Sequence, residues 1–253
     1  MPSDVNHRTN RLLSLLSDAD YEALRPHLSV VTLEYRKSLY EAFRPIDFVY
    51  FPIDGVASLV NTMADGAASE VGTIGSEGMV GIPVVLGDES GLTSVYVQVP
   101  GKALRMSADM FRHELDSNTS LRNIVLRYVH AFFNQVAQSA ACAHVHKVEK
   151  RCCRWLLMTR DRMPSDEFLL TQEFLAMTLG IQRASVSGVM MKLQKAKLVR
   201  YSRGHVTILD HAGLKRRACE CYEVSKMEFD QLLGDTPNTP RTDKTNRRVG
   251  KAG

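Results

Sequence analysis

Basic and hydroxyl side chains are concentrated in one stretch of the chain, from Arg183 to Leu209. This stretch contains no acidic residue, and its cationic residues are Arg183, Lys192, Lys195, Lys197, Arg200 and Arg203. An arginine can donate two hydrogen bonds to N7 and O6 of guanine, and hydroxyl groups at the start of a helix suit backbone phosphates. The composition of this stretch therefore predicts a surface that lies against double-stranded DNA.

The segments around the basic stretch have the pattern of a winged helix-turn-helix. Thr171 can cap a helix that ends before Gly180, and a second helix is predicted to start near Arg183. Gly180 suits the left-handed turn between the two helices, because glycine has no Cβ. A hairpin then follows, with Ser202-Arg203-Gly204 as its turn. This arrangement leaves the following residues near the exposed start of the second helix: Gln182, Arg183, Ala184, Ser185, Ser187 and Gly188.

The upstream part of the chain has a different composition. Residues 29–106 contain short runs of β-branched and aromatic residues separated by turn residues, which predicts a β-roll or jelly-roll. Between Pro45 and Gly101 there is no lysine or arginine, and between Leu28 and Arg112 there is no histidine or cysteine. A metal-dependent jelly-roll enzyme needs such ligands, and no nucleophile–base pair is evident elsewhere. We therefore expect a binding protein and not an enzyme.

A long helix is predicted between the β-roll and the winged helix. Its mostly apolar seam residues alternate by four and three, at Leu121, Val125, Tyr128, Phe132, Gln135, Ser139 and Cys142. We interpret this seam as an intermolecular dimer contact. The alternative is that the helix packs on its own β-domain, a role that we assign to Ile124, Phe133 and Val136.

At this point the chain resembles the Crp/Fnr family of bacterial regulators. The resemblance is most specific in the pattern L-T-x-E-x-L-A-x-x-x-G-x-x-R-x-x-V-S at Leu170 to Ser187, and the stretch from Phe48 to Gly87 looks like that family's cyclic-nucleotide-binding β-roll. The resemblance implies an α+β fold: an N-terminal β-roll/jelly-roll, a long dimerisation helix and a C-terminal winged helix-turn-helix. The expected divisions are 1–116 for the sensor, 117–143 for the dimerisation helix, 144–222 for the DNA-binding domain and 223–253 for a mostly disordered tail.

The resemblance also assigns roles to residues of the DNA-binding domain. Arg183 matches the guanine-reading arginine, and Thr171 and Ser185 match phosphate-contacting hydroxyls. Ala184 stands where the family has an acidic base reader, and Gly188 where it has a second arginine, so the target sequence should differ from that of cyclic-AMP-responsive members. Lys192 and Arg203, which we expect to contact phosphates, complete the predicted DNA-binding set. The implied partners are double-stranded DNA, a second copy of the chain and RNA polymerase.

The sensor region departs from the family's nucleotide-binding pattern. Gly81-Ile82-Pro83 stands in place of the ribose-binding glutamate, and Gly91-Leu92-Thr93-Ser94 in place of the phosphate-binding arginine. A buried phosphate needs a cation or a group of amides, so we expect that cyclic AMP does not bind. The predicted function is a Crp/Fnr-type DNA-binding regulator with a degenerate nucleotide pocket, for which an unknown small effector stays possible. The alternative is a ligand-independent regulator whose β-roll serves dimer packing or polymerase contact.

The cysteines give no signal of a metal site by their spacing. There are five, at positions 142, 152, 153, 219 and 221, and no two form a C-x-x-C motif. We therefore predict neither a disulfide framework, nor a structural zinc site, nor any cofactor. The family's N-terminal iron–sulfur centre is excluded because no cysteine precedes Cys142. The N-terminus carries no signal-peptide pattern and no apolar run is long enough for a membrane span, so a cytoplasmic protein is expected.

Overall fold

A computed structural model describes residues 7–234 of the chain. The predicted disorder of residues 235–253 lies outside these residues. No helix among residues 7–234 is both long and apolar enough to cross a membrane.

The N-terminal part is a β-roll of two antiparallel sheets. The strands are β1 (Ser29–Leu33), β2 (Ser38–Tyr40), β3 (Phe48–Pro52), β4 (Val56–Thr62), β5 (Ala68–Ile74), β6 (Ser94–Val99) and β7 (Gly101–Ser107). One sheet has the strand order β1-β7-β3 and the other β2-β6-β4-β5. The helices of this part are α1 (Arg11–Ser14), α2 (Asp18–Leu24), α3 (Ile82–Val85), α4 (Ala108–Ser117) and α5 (Thr119–Val145). The side chains between the sheets and these helices form one apolar core.

Helix α5 packs most of its seam against its own β-roll. Tyr128 donates a hydrogen bond from its hydroxyl to the carbonyl of Met79 (3.0 Å), and its ring lies where a Cβ on Gly78 would stand, so this approach requires glycine. Gln135 donates to the carbonyl of Thr73 at 3.0 Å. Six of the seven seam residues are at most 5% exposed in the single chain: Leu121, Val125, Tyr128, Phe132, Gln135 and Cys142.

The prediction that this seam is an intermolecular contact was therefore wrong. The remaining seam residue, Ser139, is half-buried and accepts a hydrogen bond from Arg154 at 3.2 Å within the same chain. Phe133, which we had expected to pack on the β-roll, is 68% exposed. Apolar periodicity identifies a face that must be covered, but it does not say which surface covers it.

The opposite face of α5 carries apolar side chains without cover in the single chain. Phe133 lies on this face with Leu126, which is 44% exposed, and with Ala137 and Ala140, which are also exposed. These residues follow one another at intervals of seven, four and three, so they lie along one side of the helix. We refer to Leu126, Phe133, Ala137 and Ala140 as the outer face of α5.

The C-terminal part has its own apolar core. Its elements are α6 (Val148–Arg160), β8 (Glu167–Leu169), α7 (Gln172–Leu179), α8 (Arg183–Lys195), β9 (Val199–Ser202), β10 (His205–Ile208), α9 (His211–Arg217) and α10 (Cys221–Leu232). Val56 and Val99 of the β-roll join this core, so the two parts share a packed boundary.

Helix α10 crosses the boundary that we had predicted at residue 222. It continues to Leu232 and packs on α5, with Phe229 and Leu233 buried in the core of the β-roll. Residues 223–234 are therefore ordered parts of the structure, because their apolar side chains have a core to join.

Candidate nucleic-acid interface

The helix-turn-helix is built by local interactions that the sequence specifies. The hydroxyl of Thr171 accepts a hydrogen bond from the Phe174 N–H (3.2 Å) and caps α7. Gly180 ends α7 with φ = 61°, a left-handed conformation that turns the chain towards α8. Helix α8 begins at Arg183, as predicted, and buries Val186, Met190 and Leu193.

Most of the predicted DNA-binding residues are accessible at the surface of this domain. The exposed ones are Gln182, Arg183, Ala184, Ser185, Lys192 and Arg203, and the half-buried ones are Thr171, Ser187 and Gly188. Ala184, Gly188 and Lys192 are four residues apart and therefore lie on one side of α8. The hydroxyl of Ser187 is engaged within the domain, because it donates to Oε1 of Gln172 at 3.2 Å.

The hairpin that forms the wing presents Arg203 at its tip. Ser202 pairs with His205, and the two residues between them have positive φ values, 50° at Arg203 and 79° at Gly204. Such a two-residue turn matches the twist of the paired strands. The hairpin is extended by β8, which pairs with β10 on the other side.

The positive charges of this surface are not neutralised inside the domain. Among residues 7–234, none of the cations from Arg183 to Arg203 takes part in a salt bridge. Arg183 lies at the first position of α8, where the helix also presents unpaired N–H groups. The Arg183 side chain and the N-terminus of α8 together can attract and hold an external anion.

The β-roll contacts the start of α7 through the turn between β1 and β2. The Tyr35 hydroxyl lies 3.2 Å from Oγ1 of Thr171, and Arg36 forms a 2.6 Å ion pair with Glu173. In this arrangement a predicted phosphate-contacting hydroxyl is held by the sensor domain. Sequence reasoning missed this contact, because nothing local links residues 136 positions apart.

A carboxylate lies at the centre of the boundary between the two parts. Glu70 on β5 accepts hydrogen bonds from Trp155 Nε1 of α6 (3.0 Å) and from Thr178 Oγ1 of α7 (3.3 Å). Ser58 Oγ lies 2.5 Å from the same carboxylate. Burial raises the pKa of Glu70 from 4.5 to about 7, although the three hydrogen bonds oppose this shift. A cavity of about 400 Å³ adjoins this carboxylate and is lined by β5, α5, α6 and α7.

Comparison with known proteins agrees with this geometry. The family model described as the Crp-like helix-turn-helix domain matches residues 150–217.

This segment is a Crp-like helix-turn-helix domain.

Solved structures extend the likeness over most of the chain. A CRP-family transcriptional regulator from Thermus thermophilus is 19% identical with a TM-score of 0.61, covering 74% of this chain and 96% of its own. FixK2 from Bradyrhizobium japonicum is 10% identical with a TM-score of 0.61, covering 76% and 98%. The c-di-GMP responsive global regulator CLP from Xanthomonas campestris is 15% identical with a TM-score of 0.60, covering 77% and 100%. No curated protein matches the chain by sequence.

The part of the chain that these structures match therefore has the Crp-family fold: β-roll, long helix and Crp-like domain, in that order. The predicted fold class is confirmed, and so is the resemblance on which it depended.

Proposed function

We propose that the protein is a homodimeric, sequence-specific DNA-binding transcription regulator of the Crp/Fnr type. The observation that carries this proposal is the exposed start of α8, where Arg183 occupies the first helical position and begins a stretch of 27 residues without an acidic side chain. Its neighbours Ala184 and Gly188 are small, and a Cβ added at Gly188 would meet no atom within 4 Å. The start of α8 is thus narrow enough to enter a major groove while Arg183 reaches the base edges.

The remaining cations of the domain suit the phosphate backbone. Lys192 lies two turns further along α8 and Arg203 lies at the tip of the wing, so both are displaced from the start of α8. Contacts of this kind hold a protein on DNA without reading its sequence. We therefore assign base recognition to Arg183 and non-specific affinity to Lys192 and Arg203.

The outer face of α5 is the surface that we assign to the homodimer. It is the exposed apolar strip of the long helix, and small residues at 137 and 140 allow two copies of the helix to approach closely. A two-fold axis along this helix would present two copies of α8 to the same side of a duplex. The operator should then be palindromic, with half-site centres about 10 bp apart.

The β-roll is proposed to have lost cyclic-nucleotide recognition. The segment that stands in place of the ribose-binding glutamate forms α3, which begins with Ile82 and Pro83. No lysine or arginine lies between Pro45 and Gly101 to neutralise a phosphate. Hydrophobic packing of α5 on the roll occupies the space beside β5, where the ring of Phe132 lies against Gly72. Any effector of this protein should therefore be recognised by groups other than a ribose-binding glutamate and a phosphate-binding arginine.

Selection of binding sites from a random duplex library tests the proposed function. The full chain should enrich one palindromic sequence, and affinities for that sequence are then measured at several salt concentrations. Arg183→Ala should cost about 1–3 kcal/mol at the selected site and relax the preference at one base pair in each half-site. Lys192→Ala should weaken binding to all DNA sequences alike, and it should lower the salt dependence of the affinity by about one released counterion.

Two results would contradict the assignment. If no sequence is enriched, the protein is not a sequence-specific regulator. If a site is enriched but Arg183→Ala binds it with unchanged affinity and preference, then α8 does not enter the groove by its N-terminal end. Arg200→Ala is the comparison variant for base preference, since Arg200 is also exposed but lies on β9 outside the start of α8, and its loss should leave the preference for each base pair unchanged.

A further inference from the structure

Three cysteines and one histidine converge where α5 ends. Cys142 lies in the last turn of α5 and His146 follows that helix as its C-cap residue. Cys219 and Cys221 lie at the junction between α9 and α10. The sulfur and nitrogen atoms of these four side chains all lie within 4.8 Å of one another.

The distances within this cluster fit a single metal ion. Cys142 Sγ and Cys219 Sγ are 3.5 Å apart, and Cys221 Sγ is 3.5 Å from Nδ1 of His146. In a tetrahedral zinc site, bond lengths of about 2.3 Å to sulfur and 2.0–2.1 Å to nitrogen place the ligand atoms about 3.5–3.8 Å apart. An iron–sulfur cluster contains several iron and sulfide atoms and would need more widely separated cysteines.

The cluster is enclosed and separate from both apolar cores. Cys142, Cys219 and Cys221 are at most 3% exposed, and they contact one another instead of joining either core. The His146 side chain is 14% exposed. Four protein ligands in an enclosed position are the pattern of a structural site, whereas a catalytic zinc keeps one position open.

The surrounding groups orient the four side chains as a metal site requires. His146 directs Nδ1 towards Cys221 and places Nε2 3.2 Å from the carboxylate of Glu220. A histidine ligand commonly donates its second N–H to a carboxylate, which fixes the tautomer and the ring orientation. Gln138 donates from Nε2 to Sγ of Cys221 at 3.0 Å, a bond that would stabilise a thiolate.

We propose that Cys142, His146, Cys219 and Cys221 bind one Zn²⁺ ion as a structural site. Three thiolates and one imidazole in tetrahedral arrangement select zinc over hard cations such as Mg²⁺ and Ca²⁺. The ion would join the end of the long helix to the α9–α10 junction. These two positions flank the Crp-like domain at residues 150–217 on either side, so the metal would fix both ends of that domain to α5.

Metal analysis of the full chain tests this site. The protein, expressed with zinc and purified under reducing conditions, should contain about one zinc per chain. Cys219→Ser and His146→Ala should each lower this content at least several-fold. Cys153→Ala is the matched control, because Cys153 is also fully buried but lies in the core of the C-terminal part, and its zinc content should stay unchanged.

Wild-type protein alone provides the second measurement, which does not depend on how the variants fold. Removal of zinc by a chelator should lower the thermal midpoint, and added Zn²⁺ but not Mg²⁺ should restore it. Co²⁺ added to the stripped protein should give the visible absorption of a tetrahedral thiolate site. Absence of bound zinc in wild-type protein supplied with the metal would overturn the proposal. A Cys142–Cys219 disulfide in the reduced, zinc-supplied protein would also overturn it, since that bond would consume two of the ligands.

Discussion

Phe132 and Phe133 are neighbours on α5, yet the structure gives them opposite environments. Phe132 is 5% exposed and packs on the β-roll, whereas Phe133 is 68% exposed on the outer face. We predict that Phe133→Asp yields a folded monomer. We predict that Phe132→Asp instead destabilises the fold, because it places a carboxylate without a partner in the core.

The size of the first effect follows from the exposed area. A phenylalanine side chain can bury about 200 Å², so a 68% exposed ring offers about 140 Å² to a partner. At about 25 cal/mol per Å² this corresponds to about 3.5 kcal/mol for each chain and about 7 kcal/mol for a symmetric pair. Even if the interface covers only half of this area, the loss of about 3.5 kcal/mol would weaken dimerisation by more than about a hundredfold.

Sedimentation velocity across micromolar concentrations measures the change in association, and thermal unfolding measures the fold. Phe43→Asp is the matched control, since Phe43 is a 75% exposed phenylalanine on the β-roll and should leave the dimer unchanged. DNA affinity of the Phe133→Asp protein should fall together with dimerisation, because one half-site supplies only part of the phosphate contacts. A Phe133→Asp protein that stays dimeric with wild-type stability would refute the assignment of the interface to the outer face of α5.

Three further predictions concern the sensor domain and its boundary with the Crp-like domain. The pKa of Glu70 is raised from 4.5 to about 7 by burial, so the stability that it contributes is full below pH 4.5 and is lost as the pH rises through 7. The stability of Glu70→Gln relative to wild type should therefore increase by up to about 3 kcal/mol between pH 4.5 and 8, as measured by thermal unfolding. A stability difference that stays constant over this pH range would contradict the raised pKa of Glu70. Tyr35→Phe should raise affinity for the selected DNA by about 0.5–1.5 kcal/mol in gel-shift titrations, because it frees the Thr171 hydroxyl, while equal affinity would show that this contact does not compete with DNA. Calorimetry with millimolar cyclic AMP or cyclic GMP should show no binding, and a micromolar site would mean that backbone amides replace the missing cation.

The helix-turn-helix could be predicted from the sequence because its determinants are local. The Thr171 cap acts over three residues, Gly180 supplies its own backbone conformation, and the wing turn depends on Arg203 and Gly204. The charge distribution around these elements is likewise a property of the sequence. Nothing distant in the chain is needed to form these features, so fold class and the candidate DNA-binding residues could be predicted together.

The role of α5 could be predicted only in part. Its length and its apolar periodicity are local, and both were evident in the sequence. Which face meets the β-roll depends on Gly78 and the carbonyls of Thr73 and Met79, which lie on distant segments. The sequence pattern therefore assigned the seam to a second chain instead of to the β-roll. It also placed Phe132 in the dimer contact and Phe133 on the β-roll, whereas the structure buries Phe132 and exposes Phe133.

The cysteine cluster was decided by tertiary structure alone. Cys142 and Cys219 are 77 positions apart, and neither belongs to a C-x-x-C motif, so spacing in the sequence gave no indication of a shared site. Packing of α10 on α5 brings the two ends of the Crp-like domain together and places four ligand atoms within 4.8 Å of one another. A metal ion selects ligands by their distance in space, and only the folded chain sets that distance.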